Sequence, residues 1–116
     1  MTAEVHNLTV EQGASYEQII RWTDADGVPI NLTGATAAMQ VRQATNVSTV
    51  LFEASTANGK LAIAGDAGQI TLTITAAESA AFTWNFGKYD LEVTTAGGLV
   101  YRLLRGTISI SAEVTQ

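Results

Sequence analysis

The sequence predicts an all-β chain: a two-sheet β-sandwich of about 7–9 short strands with one short helix around 76–82. Three observations lead there. Stretches alternating apolar and polar residues recur at roughly 8–12-residue spacing, the rhythm of sandwich strands. Glycine-centred turn signals separate them. One segment, "TAAESAAF" at 75–82, breaks the alternation with the start signature of a helix. A closed small barrel is the other architecture this pattern allows. The 116 residues read as a single domain, 1–116, without internal repeats, and an apolar content of 47% supplies one core. The ends, 1–3 and 113–116, read as loose or as linkers.

"EVHNLTV" (4–10) is the first strand, followed by a turn at Gly13. "SYEQIIRWTD" (15–24) is the second, with Tyr16, Ile20 and Trp22 on one parity, which assigns Trp22 to the core, and Ile19 on the other. "GATAAMQVRQ" (34–43) places Ala37, Met39 and Val41 on one face. "STVLFEAS" (48–55) follows the hairpin-length "ATNV" and predicts Val50, Phe52 and Ala54 inward. Asn58-Gly59 is a turn signal, because both residues tolerate positive φ. Leu61 and Ile63 make a short strand, "GDAG" (65–68) a turn, and Ile70, Leu72 and Ile74 the clearest alternation in the chain. Thr75 with Glu78 three residues on is a capping box ahead of two helical turns, which Phe82 anchors to the core. "GKYDLEVT" (87–94) alternates through Tyr89, Leu91 and Val93, with Asp90 and Glu92 on the solvated face, and "AGG" (96–98) turns the chain. The last strand, 99–111, changes phase between Leu103 and Leu104. A one-residue slip flips every side chain, so a β-bulge is expected near Leu104–Gly106, with Gly106 supplying the permissive backbone. A crossing of the strand from one sheet to the other is the alternative.

Composition narrows the chemistry. There is no cysteine, so no disulfide framework or thiolate ligand. The net charge is −5 and the six Lys and Arg are scattered along the sequence, which argues against a basic stripe that would release nucleic-acid counterions. No apolar run approaches the ~18–20 residues of a membrane span, and "MTAEVHNLTV" has no signal-peptide pattern.

Possible chemical sites are few. "DADGVPINLTG" (24–34) offers Asp24 and Asp26, with Asp66 elsewhere, but lacks the closing glutamate of a calcium loop, so it reads as a turn that Pro29 stiffens. Asn7, Asn31 and Asn46 head sequons that matter only in a secretory context. His6 is the single histidine and has no nucleophile elbow to serve. Of the paired carboxylates considered for glycoside hydrolysis (Glu17, Asp24, Asp26, Glu53, Glu78, Asp90, Glu92), none has an aromatic-rich cleft signature beside it. Trp84, Asn85 and Phe86 form the one aromatic loop cluster, read as a candidate contact with a partner subunit or as a cap on the sandwich end. No catalytic residue, cofactor or metal is read from the chain.

The ordered motifs resemble a known family. Asp24, Gly27, Pro29, Ile30, Leu32, Thr33, Gly34 and Ala35 follow a D-x-x-G-x-P-I-x-L-T-G-A pattern. Gly68, Ile70, Leu72, Ile74 and Thr75 follow G-x-I-x-L-x-L-[TS]-x-x-x-[TS], with Ile74 at its second Leu position, and Gly87, Tyr89, Leu91, Glu92 and Val93 a tyrosine-centred strand pattern. Arg102, Leu103, Leu104, Gly106, Ile108, Ile110, Glu113, Val114 and Thr115 follow a closing R-L-L-x-G-x-I-x-V-x-x-E-V-T, with Ile110 at its Val position. This order resembles the N-terminal Ig-like module of the upper-baseplate family of tailed bacteriophages and related prophage tail proteins. The resemblance implies an Ig-like sandwich in a non-enzymatic structural subunit of the virion, assembled in the bacterial cytoplasm and present in many copies. Its partners would be other virion proteins, with neither nucleic acid nor membrane bound. Docking would use the first strand, the last strand and the "WNFG" loop. The chain ends where those proteins continue into fibre regions, so a neck, tail-completion or capsid-decoration subunit is an equal expectation. A phage-borne module that binds carbohydrate or the host surface is the alternative.

Overall fold

The computed structural model describes residues 4–44 and 46–112. Nine strands are formed: β1 (Glu4–Val5), β2 (Leu8–Glu11), β3 (Tyr16–Arg21), β4 (Thr36–Arg42), β5 (Val50–Ser55), β6 (Leu61–Ala64), β7 (Gln69–Ile74), β8 (Phe86–Thr94) and β9 (Val100–Ser111). Among the described residues one α-helix, α1 (Ala76–Ala80), lies between β7 and β8, and a single 3-10 turn, Gly65–Ala67, joins β6 to β7. The large sheet runs β1-β9-β8-β4-β5, with β2 continuing β1 along β9, and the small sheet runs β3-β7-β6. No ladder joins them among the described residues, so the chain is a sandwich and not the closed barrel. The connectivity is immunoglobulin-like. Strands β3-β7-β6 take the places of B-E-D, and β9-β8-β4-β5 those of G-F-C-C′, with the first strand parallel to the last.

The alternation read from sequence builds the core. Met39, Val41, Ile70, Leu72, Ile74, Leu91 and Val93 are buried between the sheets, and each fully buried aliphatic side chain contributes on the order of 1.5–3 kcal/mol. Trp22 is only partly buried; it packs against this core and meets Tyr101 edge-on at 5.4 Å.

Two bulges adjust the pattern. Between β8 and β9 the register moves from Leu91↔Leu104 to Glu92↔Arg102, so Leu103 is the extra residue and both Leu103 and Leu104 face inward. The phase change is therefore a bulge within one sheet, not a crossing, and it lies one residue before the expected Leu104–Gly106. Between β4 and β5 the pairing moves from Val41↔Phe52 to Arg42↔Val50. Leu51 is the extra residue there, and Val50 is left exposed rather than inward as its parity had indicated.

The first strand is one register interrupted at His6-Asn7. Glu4 pairs with Leu104 and Leu8 with Ile108. In the gap, the His6 amide donates to the Arg105 carbonyl (2.8 Å) and the Thr107 amide to Asn7 Oδ1 (3.0 Å). Here β9 approaches so closely that a Cβ on Gly106 would lie 2.8 Å from the His6 carbonyl carbon. Gly106 is needed for that approach, since its φ is not positive.

The stretch 24–34 is a turn. The Gly27 amide donates to the Asp24 carbonyl (3.0 Å), and Asp24 Oδ1 accepts from the Asp26 and Val28 amides (2.9 and 3.0 Å). Leu32 is buried, and its amide bonds Gly65 across the sandwich end (2.7 Å). Near Asn58-Gly59 only the glycine takes positive φ; Asn58 Oδ1 instead accepts the Ser55 and Lys60 amides.

The capping box forms. The Glu78 amide donates to Thr75 Oγ1 (3.1 Å) and the Thr75 amide to Glu78 Oε1 (3.0 Å). The helix is shorter than expected, stopping at Ala80, while Phe82 packs against the core beyond it. The bond from the Thr75 amide, aided by Lys60 Nζ at 3.2 Å, holds the Glu78 carboxyl below its ordinary 4.5 despite partial burial. A depressed carboxyl contributes stability above its unfolded value, and that contribution is lost as pH falls through the folded one. Glu78→Gln is therefore expected to lower stability by about 0.5–1 kcal/mol at pH 7. The difference shrinks below about pH 4. Urea titrations at pH 7 and pH 3 read both values, and an equal loss at the two would contradict the assignment.

Candidate interaction face

Along β8, Gly87, Tyr89, Leu91 and Val93 point into the sandwich. Phe86, Lys88, Asp90 and Glu92 therefore point away from it. On the neighbouring strands the register adds Gln40 and Arg42 from β4, and Arg102 and Arg105 from β9. The β9 bulge is what places both arginines outward. They stand three positions apart, and the two leucines between them turn inward together.

Four of the six cations of the chain (Arg42, Lys88, Arg102, Arg105) thus gather on the outer face of the large sheet. The sequence had shown them only as scattered. Four carboxylates, Glu11, Glu53, Asp90 and Glu92, share the face. Arg102 Nε lies 3.4 Å from Asp90 Oδ2, an exposed pair worth at most about 1 kcal/mol. Arg42 donates to the Val47 carbonyl (3.2 Å) and to Gln40 Oε1 (2.8 Å), and Gln40 in turn donates to Glu53 (3.0 Å). Lys88 and Arg105 have no ion pair among the described residues. Two adjoining depressions, of about 340 and 360 Å³, lie along this face and share Lys88, Asp90 and Arg102. Exposed apolar side chains border them: Val5 at 59%, Phe86 at 45% and Val50 at 38%.

The structure separates the loop cluster Trp84, Asn85 and Phe86. Trp84 is half-buried, stacked at a tilt on Phe82 (4.8 Å), which meets Phe52 edge-on (5.4 Å). Asn85 is exposed, and its carbonyl accepts the Ile110 amide (2.9 Å). Only Phe86 reaches the charged face. Over residues 104–111 the last strand has no free edge: β8 pairs with it on one side, and β1 and β2 on the other. The open edges are β1 with β2, β5, β3 and β6.

Two other candidate residues take part in internal hydrogen bonds, His6 through its carbonyl and Asp24 through its carboxylate. The His6 carbonyl accepts the Tyr89 hydroxyl at 2.5 Å. Burial, with a smaller contribution from Tyr16, pushes that phenol up to about 12, and burial raises Tyr16 as well. Tyr89 is thus a neutral donor tying β8 to the first strand. Among the described residues no three His, Cys, Asp or Glu are grouped to hold a metal ion, and no helix is long and apolar enough to cross a membrane. The carboxylate of Asp24 is occupied by its own loop.

The parity of Phe86, Lys88, Asp90 and Glu92 was a sequence signal for this face. Arg105 was not readable, because its direction depends on the exact position of the bulge. Compared with known proteins, the chain matches no described family and no curated relative.

Proposed function

We propose that this chain is a non-enzymatic structural subunit of a tailed-phage particle, acting by protein–protein docking through the outer face of its large sheet. The carrying observation is that this face is uncovered, with exposed Val5, Phe86 and Val50 set around unpaired Lys88 and Arg105. Apolar patches rimmed by polar groups mark interaction surfaces. The carboxylates interleaved with the cations suit a protein partner better than a phosphate backbone, which favours an unbroken basic track. The phage setting is supported by the motif order that resembles the Ig-like module of upper-baseplate proteins. A tail, baseplate, neck or capsid-surface position is equally compatible with such a face. A carbohydrate-binding role has less support, because Trp84 is stacked on Phe82 rather than presented as a platform.

A mass-spectrometric inventory of purified particles is expected to contain this chain in many copies, and its absence would refute the virion reading. Particles assembled with Phe86→Asp are expected to lose it. Retention at the wild-type level would refute the docking face.

A further inference from the structure

We propose that the occupant of this face is the acidic loop end of a second copy of the same chain, in a head-to-tail contact. The inference rests on the docking reading of the face and adds the identity of what docks.

Charge segregation carries it. Four cations and four carboxylates lie on the face, leaving two cations, Arg21 and Lys60, against seven carboxylates in the rest of the chain, so the net charge of −5 lies off the face. One of the seven, Glu113, lies outside the described residues, and Lys60 is itself paired with Glu78. The acidic surplus has a location. The loops 22–35, 65–68 and 95–99 converge at one end of the sandwich. The Trp22 amide bonds the Gly68 carbonyl (2.8 Å), the Leu32 amide bonds Gly65 (2.7 Å), and a Cβ on Gly34 would lie 3.0 Å from that of Ala96. Those loops contain Asp24, Asp26 and Asp66 and no Lys or Arg. Asp26 and Asp66 have no ion pair among the described residues.

The same end also exposes Val28 (55%) and Leu99 (61%). An anionic end with two exposed aliphatic side chains thus complements the unpaired Lys88 and Arg105 of the face, which Val5 and Phe86 border. The two patches lie on different parts of the molecule. The unpaired groups of the face, Lys88 and Arg105, are cations and those of the end, Asp26 and Asp66, are anions, so the favoured contact is heterologous. Such contacts close into rings or extend as filaments.

The test uses the purified full chain in sedimentation velocity. Wild type is expected to associate at low ionic strength and to dissociate as salt screens the charges. Lys88→Glu with Arg105→Glu reverses the face, and Asp26→Lys with Asp66→Lys reverses the end. Each double variant alone is expected to associate about tenfold more weakly or worse. An equimolar mixture restores association, because each reversed patch then meets a complement. Circular dichroism confirms folding, since all four positions are on the surface.

Wild type that stays monomeric at about 1 mM in low salt, variants that associate unchanged, or a mixture that fails to recover would each overturn the proposal. If wild type is monomeric while the Lys88→Glu, Arg105→Glu chain is still lost from particles, the docking face stands. Its occupant is then an acidic surface of another particle protein.

Discussion

Gly68→Ala is expected to destabilise the fold by on the order of 2–5 kcal/mol, combining left-handed backbone strain with overpacking. Gly68 has φ +61, and an added Cβ would lie 2.7 Å from the Trp22 carbonyl oxygen and 2.9 Å from that of Ile30. Neither oxygen can retreat easily. The Trp22 carbonyl accepts the Ile30 amide (2.9 Å), while the Trp22 amide is bonded to Gly68 (2.8 Å). The methyl group therefore pushes directly on the hydrogen bonds that fasten loop 22–35 to turn 65–68. Gly27→Ala is the control: it has φ +81 but nothing within 4 Å of the added Cβ, so it carries only the backbone cost of about 1–3 kcal/mol. Denaturant titration of both variants separates the two contributions, and equal losses would show that the close approach at Gly68 is unimportant. The functional consequence follows from location. Asp26 and Asp66 sit on the two segments that Gly68 holds together, so Gly68→Ala is also expected to weaken any contact made by the acidic end.

What the sequence revealed and what it hid have physical reasons. Two-residue alternation is a local property, so Ile70, Leu72 and Ile74 announced their inward face without tertiary information. The Thr75–Glu78 cap was equally local. Bulges are not local, because the extra residue is defined by the partner strand. Leu103 was therefore placed one position off, and Val50 was assigned inward until the excess at Leu51 turned it out. The charged face needed both kinds of knowledge. Lys88 and Asp90 followed from parity, but their convergence with Arg42 and Arg105 required the strand order β9-β8-β4. The aromatic cluster divides for a related reason. Three neighbours in sequence were read together, as a partner contact or a cap on the sandwich end; residues two apart in an extended chain would share a face, and the bend at Asn85 is what lets Trp84 stack on Phe82 while Phe86 points outward. The matched Glu113, Val114 and Thr115 lie outside the described residues.

Gly106→Ala is expected to detach the first strand, at a cost of about 1–3 kcal/mol, by overpacking rather than backbone strain. The added Cβ would run into the His6 carbonyl oxygen and lie 2.9 Å from Asn7 Oδ1. Those two atoms anchor the gap between β1 and β2: the first accepts the Tyr89 hydroxyl and the second the Thr107 amide. Displacing them breaks both bonds together, so Tyr89→Phe and Gly106→Ala should combine less than additively, as changes to one network do. Hydrogen exchange is the direct reading. The His6 and Thr107 amides, bonded across this gap, should exchange faster in Gly106→Ala, while those of β7 hold until global unfolding. Unchanged exchange at His6 and Thr107 would mean that the chain absorbs the methyl group without moving the strand. If the strand leaves, Val5 and Asn7 withdraw from the depression they line, and β9 acquires the free edge that the native fold denies it. An unpaired edge of up to twelve residues invites pairing with other chains. Gly106→Ala is thus expected to trade salt-sensitive association through side chains for salt-insensitive aggregation through backbone, which sedimentation velocity at low and high ionic strength separates.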